Sequence, residues 1–236
     1  MKNLKTLLML LVSILTVSFS LTSCNTDGED YYIPAEQQKQ YQMQMTGTYS
    51  GQVIVHQLKD NKRDFVAVDS VRTIWNVNTD STFTISNFPI HMLDSAINVP
   101  SGEITSEASK LRELRTAISE LPSENIRCAY YVPSTQSVLS GGYGFVVNPL
   151  CLNSEFYQLK KDNKTMFIKK QLTYAGETHT VYFVFYLNYY GGACNITART
   201  FQFDMLLAAI KIDDEPRDYT SSFSTNYFRN VMIRCK

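Results

Sequence analysis

Residues 155–189, EFYQLKKDNKTMFIKKQLTYAGETHTVYFVFYLNY, decide the fold class. Met166, Ile168, Lys170, Leu172 and Tyr174 alternate with Phe167, Lys169, Gln171 and Thr173. A period of two is the mark of a strand with one face in a core. Lys161-Asp162-Asn163-Lys164 and Ala175-Gly176 carry turn chemistry, so Glu155 to Tyr189 reads as a three-strand antiparallel meander. The same enrichment in β-branched and aromatic residues between polar turns extends outward. It predicts strands over Gly51 to Leu58, Phe65 to Val77, Thr82 to Ser86, Ile126 to Val132, Gly144 to Leu150, part of Asn195 to Ile212, and Asn226 to Arg234.

One segment has a different period. Leu111, Leu114, Ile118 and Leu121 follow helical spacing and Pro122 marks the stop, which predicts an amphipathic helix over Thr105 to Leu121. Its charged residues Lys110, Arg112, Glu113 and Arg115 form the solvated face. The fold class is therefore mainly β: an antiparallel meander forming a barrel or a sandwich, with one helix packed on it. No Pro-, Gly- or Ser-rich linker interrupts residues 45–236, so these form a single domain.

The first residues are of another kind. Lys2 and Lys5 precede an apolar run from Leu7 to Phe19. That run is shorter than the roughly 20 residues a membrane-spanning helix needs, and it has the layout of a removable signal peptide, residues 1–23. Leu21-Thr22-Ser23-Cys24 resembles the lipobox of bacterial lipoproteins, which implies cleavage before Cys24 and lipid attachment to its thiol. Two or more acyl chains hold a protein stably on a membrane. Asn25 to Asp30 is acidic and resembles the export signal of Bacteroidetes surface lipoproteins. The resemblance implies display on the outer membrane, with a periplasm-facing anchor as the alternative. Residues 24–44, Gln-rich and without an apolar period after Ala35, read as the tether.

Met45-Thr46-Gly47-Thr48-Tyr49-Ser50-Gly51 resembles the opening of lipocalin-like, or calycin-like, barrels, in which a Gly, any residue and an aromatic lead into the first strand. The whole layout is similar to that of Bacteroidetes lipoproteins of unknown function. Asp69-Ser70-Val71, Asp80-Ser81-Thr82 and Asp94-Ser95-Ala96 resemble the O-glycosylation signal of the same bacteria, which makes Ser70, Ser81 and Ser95 candidate glycan sites.

Composition excludes some partners. The chain has 22 basic and 22 acidic residues, and two of the basic ones fall in the signal peptide, so no field for nucleic acid exists. Cys128, Cys151, Cys194 and Cys235 form an even set in an exported chain, which favours disulfides over a metal site. There is no CxxC pair and no cluster with His56, His91 or His179, so no metal or cofactor is expected. If Ile126 to Val132 and Gly144 to Leu150 form a hairpin with Val132 opposite Gly144, Cys128 falls beside Cys151. Asp204 opposite Tyr227 would bring Cys194 to Cys235. The expected bridges are those two, each contributing about 3–4 kcal/mol.

For catalysis the sequence offers little. No GxSxG elbow is present, and Ser140-Gly141-Gly142-Tyr143-Gly144 lacks the strand-Ser-helix context. His56 and His179 sit inside strand patterns and His91 follows Pro89. Asp213, Asp214 and Glu215 read as a solvated turn. Aromatic density in Tyr130, Tyr131, Tyr143, Tyr182, Tyr186, Tyr189 and Tyr190 fits strand packing first and ligand stacking second. Tyr143, Tyr189 and Tyr190 are the candidate ligand contacts. The expected function is a membrane-anchored β domain that binds a glycan, an apolar ligand or an envelope protein. An envelope hydrolase with a dispersed site and a structural assembly component are the alternatives.

Overall fold

The computed structural model describes residues 31–58, 64–136, 143–150, 165–186, 191–216, 218, 220–223 and 226–236. The signal peptide, Cys24, Cys151, Tyr189 and Tyr190 lie outside them, as does the side chain of Tyr143. Among the described residues, no helix is long and apolar enough to cross a membrane.

The strands are β1 (Tyr31–Tyr32), β2 (Gly47–Leu58), β3 (Phe65–Val77), β4 (Thr82–Phe88), β5 (Glu124–Tyr131), β6 (Thr135–Gln136), β7 (Tyr143–Leu150), β8 (Thr165–Tyr174), β9 (Glu177–Tyr186), β10 (Gly191–Asn195), β11 (Thr200–Ile212) and β12 (Val231–Cys235). The helices are α1 (Ala35–Met45) and α2 (Ser106–Ser119), with a 3-10 helix at Ile90–Ala96. A short ribbon of β1 with β6 belongs to a small unit of its own.

The larger unit is a ten-stranded antiparallel sheet, in the order β10-β7-β5-β4-β3-β2-β12-β11-β9-β8. The mainly β, antiparallel expectation is met, and the sheet curls. β10 pairs with β7 on one side and with Thr200–Phe203 of β11 on the other, which joins eight strands in a ring. β11 then changes partner, and Leu207–Ile212 pairs with β9.

Alternation fills the inside of the curl. Tyr49, Trp75, Phe83, Tyr130, Phe201 and Phe203 are all buried, with ring centroids 4.8–6.1 Å apart in tilted or edge-on pairs. Burying rings of this size supplies the largest apolar areas any side chain can offer. Tyr130 is thus a core residue of the curl, and Tyr182 is buried in a separate small cluster with Val184 and Ala209.

Two glycines follow from this packing. Gly47 has φ +147, and a Cβ there would meet the Arg199 guanidinium, which lies 5.4 Å over the Tyr49 ring. At Gly51 a Cβ would come within 2.3 Å of Trp75 and 2.5 Å of the Lys236 carbonyl oxygen. A backbone atom cannot rotate away, so only glycine fits where β2 passes the end of β12.

Helix α2 lies within the predicted span. The Thr105 hydroxyl accepts the Ala108 amide at 3.2 Å, an N-cap, and Ala108, Leu111, Leu114 and Ile118 are buried.

The tether reading needs correction at its end, because Ala35–Met45 is helical. Glutamine has good helix propensity, and the helix is held through its backbone rather than by an apolar stripe. The Tyr49 hydroxyl donates to the Met45 carbonyl at 2.7 Å, the Gln38 amide donates to the Ile33 carbonyl at 2.8 Å, and Met45 is buried.

The cysteine register also differs. In β5 and β7, Cys128 stands opposite Pro149, within a residue of the expected register, and Cys151 lies outside the described residues. In β11 and β12 the register is seven residues away from expectation: Asp204 pairs with Arg234, not Tyr227. Cys235 therefore faces Phe203, while Cys194 faces Phe201 from β10 on the other side of β11. Two strand spacings are about 10 Å, beyond the roughly 7 Å a disulfide spans. Cys194 and Cys235 are buried free thiols, and the bridge expected between them is not formed. Burial pushes both thiols up from their ordinary pKa, which keeps them protonated and inert.

Candidate functional site

The β8–β9 hairpin turns at Ala175 and Gly176, both at positive φ (50 and 83), as a tight two-residue loop requires. The Glu113 carboxylate on α2 accepts the Ala175 amide at 2.7 Å and fixes the tip. Register places Leu172 opposite His179 and Tyr174 opposite Glu177, so these four side chains share one face. Between that face, α2 and the chain after β11 lies a groove of about 480 Å³. Its floor is Leu111, Tyr174 and Phe223, all buried. Its rim carries Glu107, Lys110, Glu177 and His179.

Asp213 orders the rim. Its left-handed backbone, φ 61, turns the chain back as β11 ends. One carboxylate oxygen accepts the Thr180 amide at 2.8 Å and the other lies 2.8 Å from His179 Nδ1. The Tyr174 ring lies 4.5 Å from the imidazole, tilted by 34°. His179 Nε2 has the Glu177 carboxylate 4.0 Å away. The imidazole is thus oriented by one carboxylate, as in acid–base dyads, but its outer nitrogen faces a second carboxylate rather than a hydroxyl. That arrangement suits a hydrogen-bonding contact to a ligand better than activation of a nucleophile. The Ser222 hydroxyl, also on the groove, accepts the Ile212 amide at 2.8 Å and so anchors the wall.

Two groups here are displaced from their ordinary pKa. Burial, with the Asp213 charge behind it, pushes the Tyr174 hydroxyl up to about 12. Hydrogen bonds from His179 and from the Thr180 amide hold the Asp213 carboxyl below its usual 3.8. A lowered carboxyl pKa adds stability that is present above the unfolded value and disappears as pH falls through the folded one. Asp213→Asn is expected to be destabilising where the carboxylate is ionised. The gap from wild type should shrink below 3.8, as read by denaturation across pH.

The other sequence candidates lie elsewhere. His56 is on β2, opposite Met232, with Nδ1 buried and without a hydrogen-bond partner among the described residues. Burial and then Arg234 lower its pKa, which keeps it neutral. His91 is in the 3-10 helix. Ser70 is exposed on β3 and Ser81 is half-exposed in the β3–β4 turn, while the Ser95 hydroxyl donates to the Met92 carbonyl at 2.7 Å. Among the described residues no cluster of His, Cys, Asp or Glu is suited to a metal ion. Tyr174, His179 and Asp213 were missed as a group because 34 residues separate the imidazole from its carboxylate. The one local sign was a turn, Asp213-Asp214, following a long apolar strand.

No curated protein and no solved structure matches the chain. A family model covers residues 44–212, from the last turn of α1 to the end of β11, and includes every rim and floor residue of the groove except Asp213, Ser222 and Phe223. With most of its length matched, the chain belongs to that family, a domain of unknown function designated DUF4840.

Proposed function

We propose that this is an envelope lipoprotein, held on the outer membrane through lipidated Cys24, whose β domain binds a glycan in the groove between α2 and the β8–β9 hairpin. The observation that carries the reading is the groove's make-up: an apolar, partly aromatic floor beneath a rim of carboxylates, an ammonium and an imidazole. A sugar ring presents an apolar face and a hydroxylated edge, and this arrangement meets both. The volume, about 480 Å³, lies in the range of small-ligand sites. An envelope hydrolase is the second reading, supported by the 2.8 Å contact between His179 and Asp213.

A glycan binding screen on the purified chain tests the first reading. Binding is expected, and Lys110→Ala with Glu177→Gln should weaken it about tenfold by removing charge-assisted hydrogen bonds. Substrate turnover that vanishes in His179→Gln would favour the hydrolase instead. The anchor has its own test, since Cys24→Ala should abolish palmitate labelling and release the protein from the membrane fraction.

A further inference from the structure

The groove between α2 and the β8–β9 hairpin is unbalanced in charge. Glu107 stands on the α2 wall and Glu177 on the hairpin wall, with Asp213 behind the His179 imidazole. Against these three carboxylates stand the Lys110 ammonium and the imidazole, so the groove is net negative whichever protonation state His179 takes. Among the described residues, none of the three is paired with a lysine or an arginine. The other cations of α2 and of the end of β11 are engaged elsewhere. Arg112 donates to the Pro100 and Glu103 carbonyls, Arg115 lies 3.1 Å from Asp94, and Lys211 lies 2.9 Å from Asp218.

Two tyrosine hydroxyls register this field. The hydrogen bond to Glu103, with the Glu103 and Glu107 charges behind it, raises Tyr227 from its ordinary pKa, and Asp213 adds to the effect of burial on Tyr174. The start of α2 does not offset it for an anion. The Thr105 hydroxyl already takes the Ala108 amide, and Glu107, in the first turn, already complements the helix dipole.

We propose that the glycan taken here is an amino sugar with its amine free, laid on the floor of Leu111 and Tyr174 with its ammonium donating to Glu107 and Glu177 from the two walls. This deepens the glycan reading of the groove and rests on it. An ammonium offers three N–H donors and an ionised carboxylate only accepts, so the two walls and the ligand are complementary in charge and in hydrogen bonding. Lys110 is left to the ring hydroxyls, whose oxygens accept. N-acetylation removes the charge and brings in a carbonyl, an acceptor facing acceptors, so the same carboxylates discriminate against the acetylated sugar.

Calorimetric titration of the whole purified chain with a chitosan tetramer and with its fully N-acetylated counterpart tests this. The free-amine oligomer is expected to bind at least about tenfold more tightly, the scale of one hydrogen bond to a charged group. Glu107→Gln and Glu177→Gln should each weaken the chitosan oligomer about tenfold and change the acetylated one little. Both side chains are exposed, so circular dichroism and thermal unfolding should match wild type. Glu36→Gln, which removes an exposed carboxylate on α1, should change neither affinity. Equal affinity for the two oligomers would overturn the amino-sugar assignment and leave the glycan reading standing. So would an equal loss in Glu36→Gln, which would mark binding by overall charge, and tighter binding of tetralysine, which would give the groove to a basic peptide. If neither oligomer binds, the assignment is overturned, and a blank across the whole glycan screen would overturn the glycan reading with it.

Discussion

A chain cut after Ile212, where the family match ends, is expected to be unfolded. Strand β12 lies beyond that point but stands between β2 and β11, pairing Val53–Gln57 on one side and Phe203–Leu207 on the other. Val231, Ile233 and Cys235 are fully buried, and Phe223 and Tyr227 are nearly so. Removing them exposes the facing core and leaves two sheet edges without partners. Each lost aliphatic or aromatic side chain represents about 1.5–3 kcal/mol of burial, against a total stability of about 5–15 kcal/mol for a domain. Far-UV circular dichroism and urea titration would check this. A cooperative transition in the truncated chain would mean that β12 is an accessory rather than a part of the domain.

Phe83→Ala is expected to cost about 3–5 kcal/mol. Phe83 is fully buried, with the Phe203, Phe201 and Tyr130 rings 4.8, 5.4 and 6.1 Å from its own. It joins β4 to β11 across the inside of the curl, so the void left by its loss borders three rings that cannot all move in. Phe83→Leu keeps more of the volume and should cost less. Urea denaturation of both variants measures the difference, and a loss under 1 kcal/mol for alanine would show that the interior can collapse around the gap.

The strands were legible where one face alone is buried. The alternation in Thr165–Tyr174 and the composition of Phe65–Val77 give those elements at their observed bounds. The helix over Ser106–Ser119 was legible because four apolar residues mark its buried face. Helix α1 was not, since its contacts run through backbone carbonyls that carry no residue signature. The β12 register was misjudged because Tyr227 and Phe228 have strand composition. Among the described residues Phe228 forms an isolated bridge to Ile97, and the strand starts at Val231. The groove depends on Asp213 folding back onto His179, a contact that neither spacing nor pattern encodes.

Trp75 is the one tryptophan in the chain, and it is 1% exposed within the ring, edge-on to Phe203 with centroids 5.7 Å apart. Its indole N–H is buried without a hydrogen-bond partner among the described residues. Tryptophan fluorescence, excited at wavelengths the tyrosines do not absorb, is therefore a single-site optical signal from inside the ring. It will move to longer wavelength when water reaches that centre, and it will be silent to melting of the β8–β9 hairpin alone. Comparing the fluorescence transition with the circular dichroism transition separates opening of the ring from loss of the groove wall.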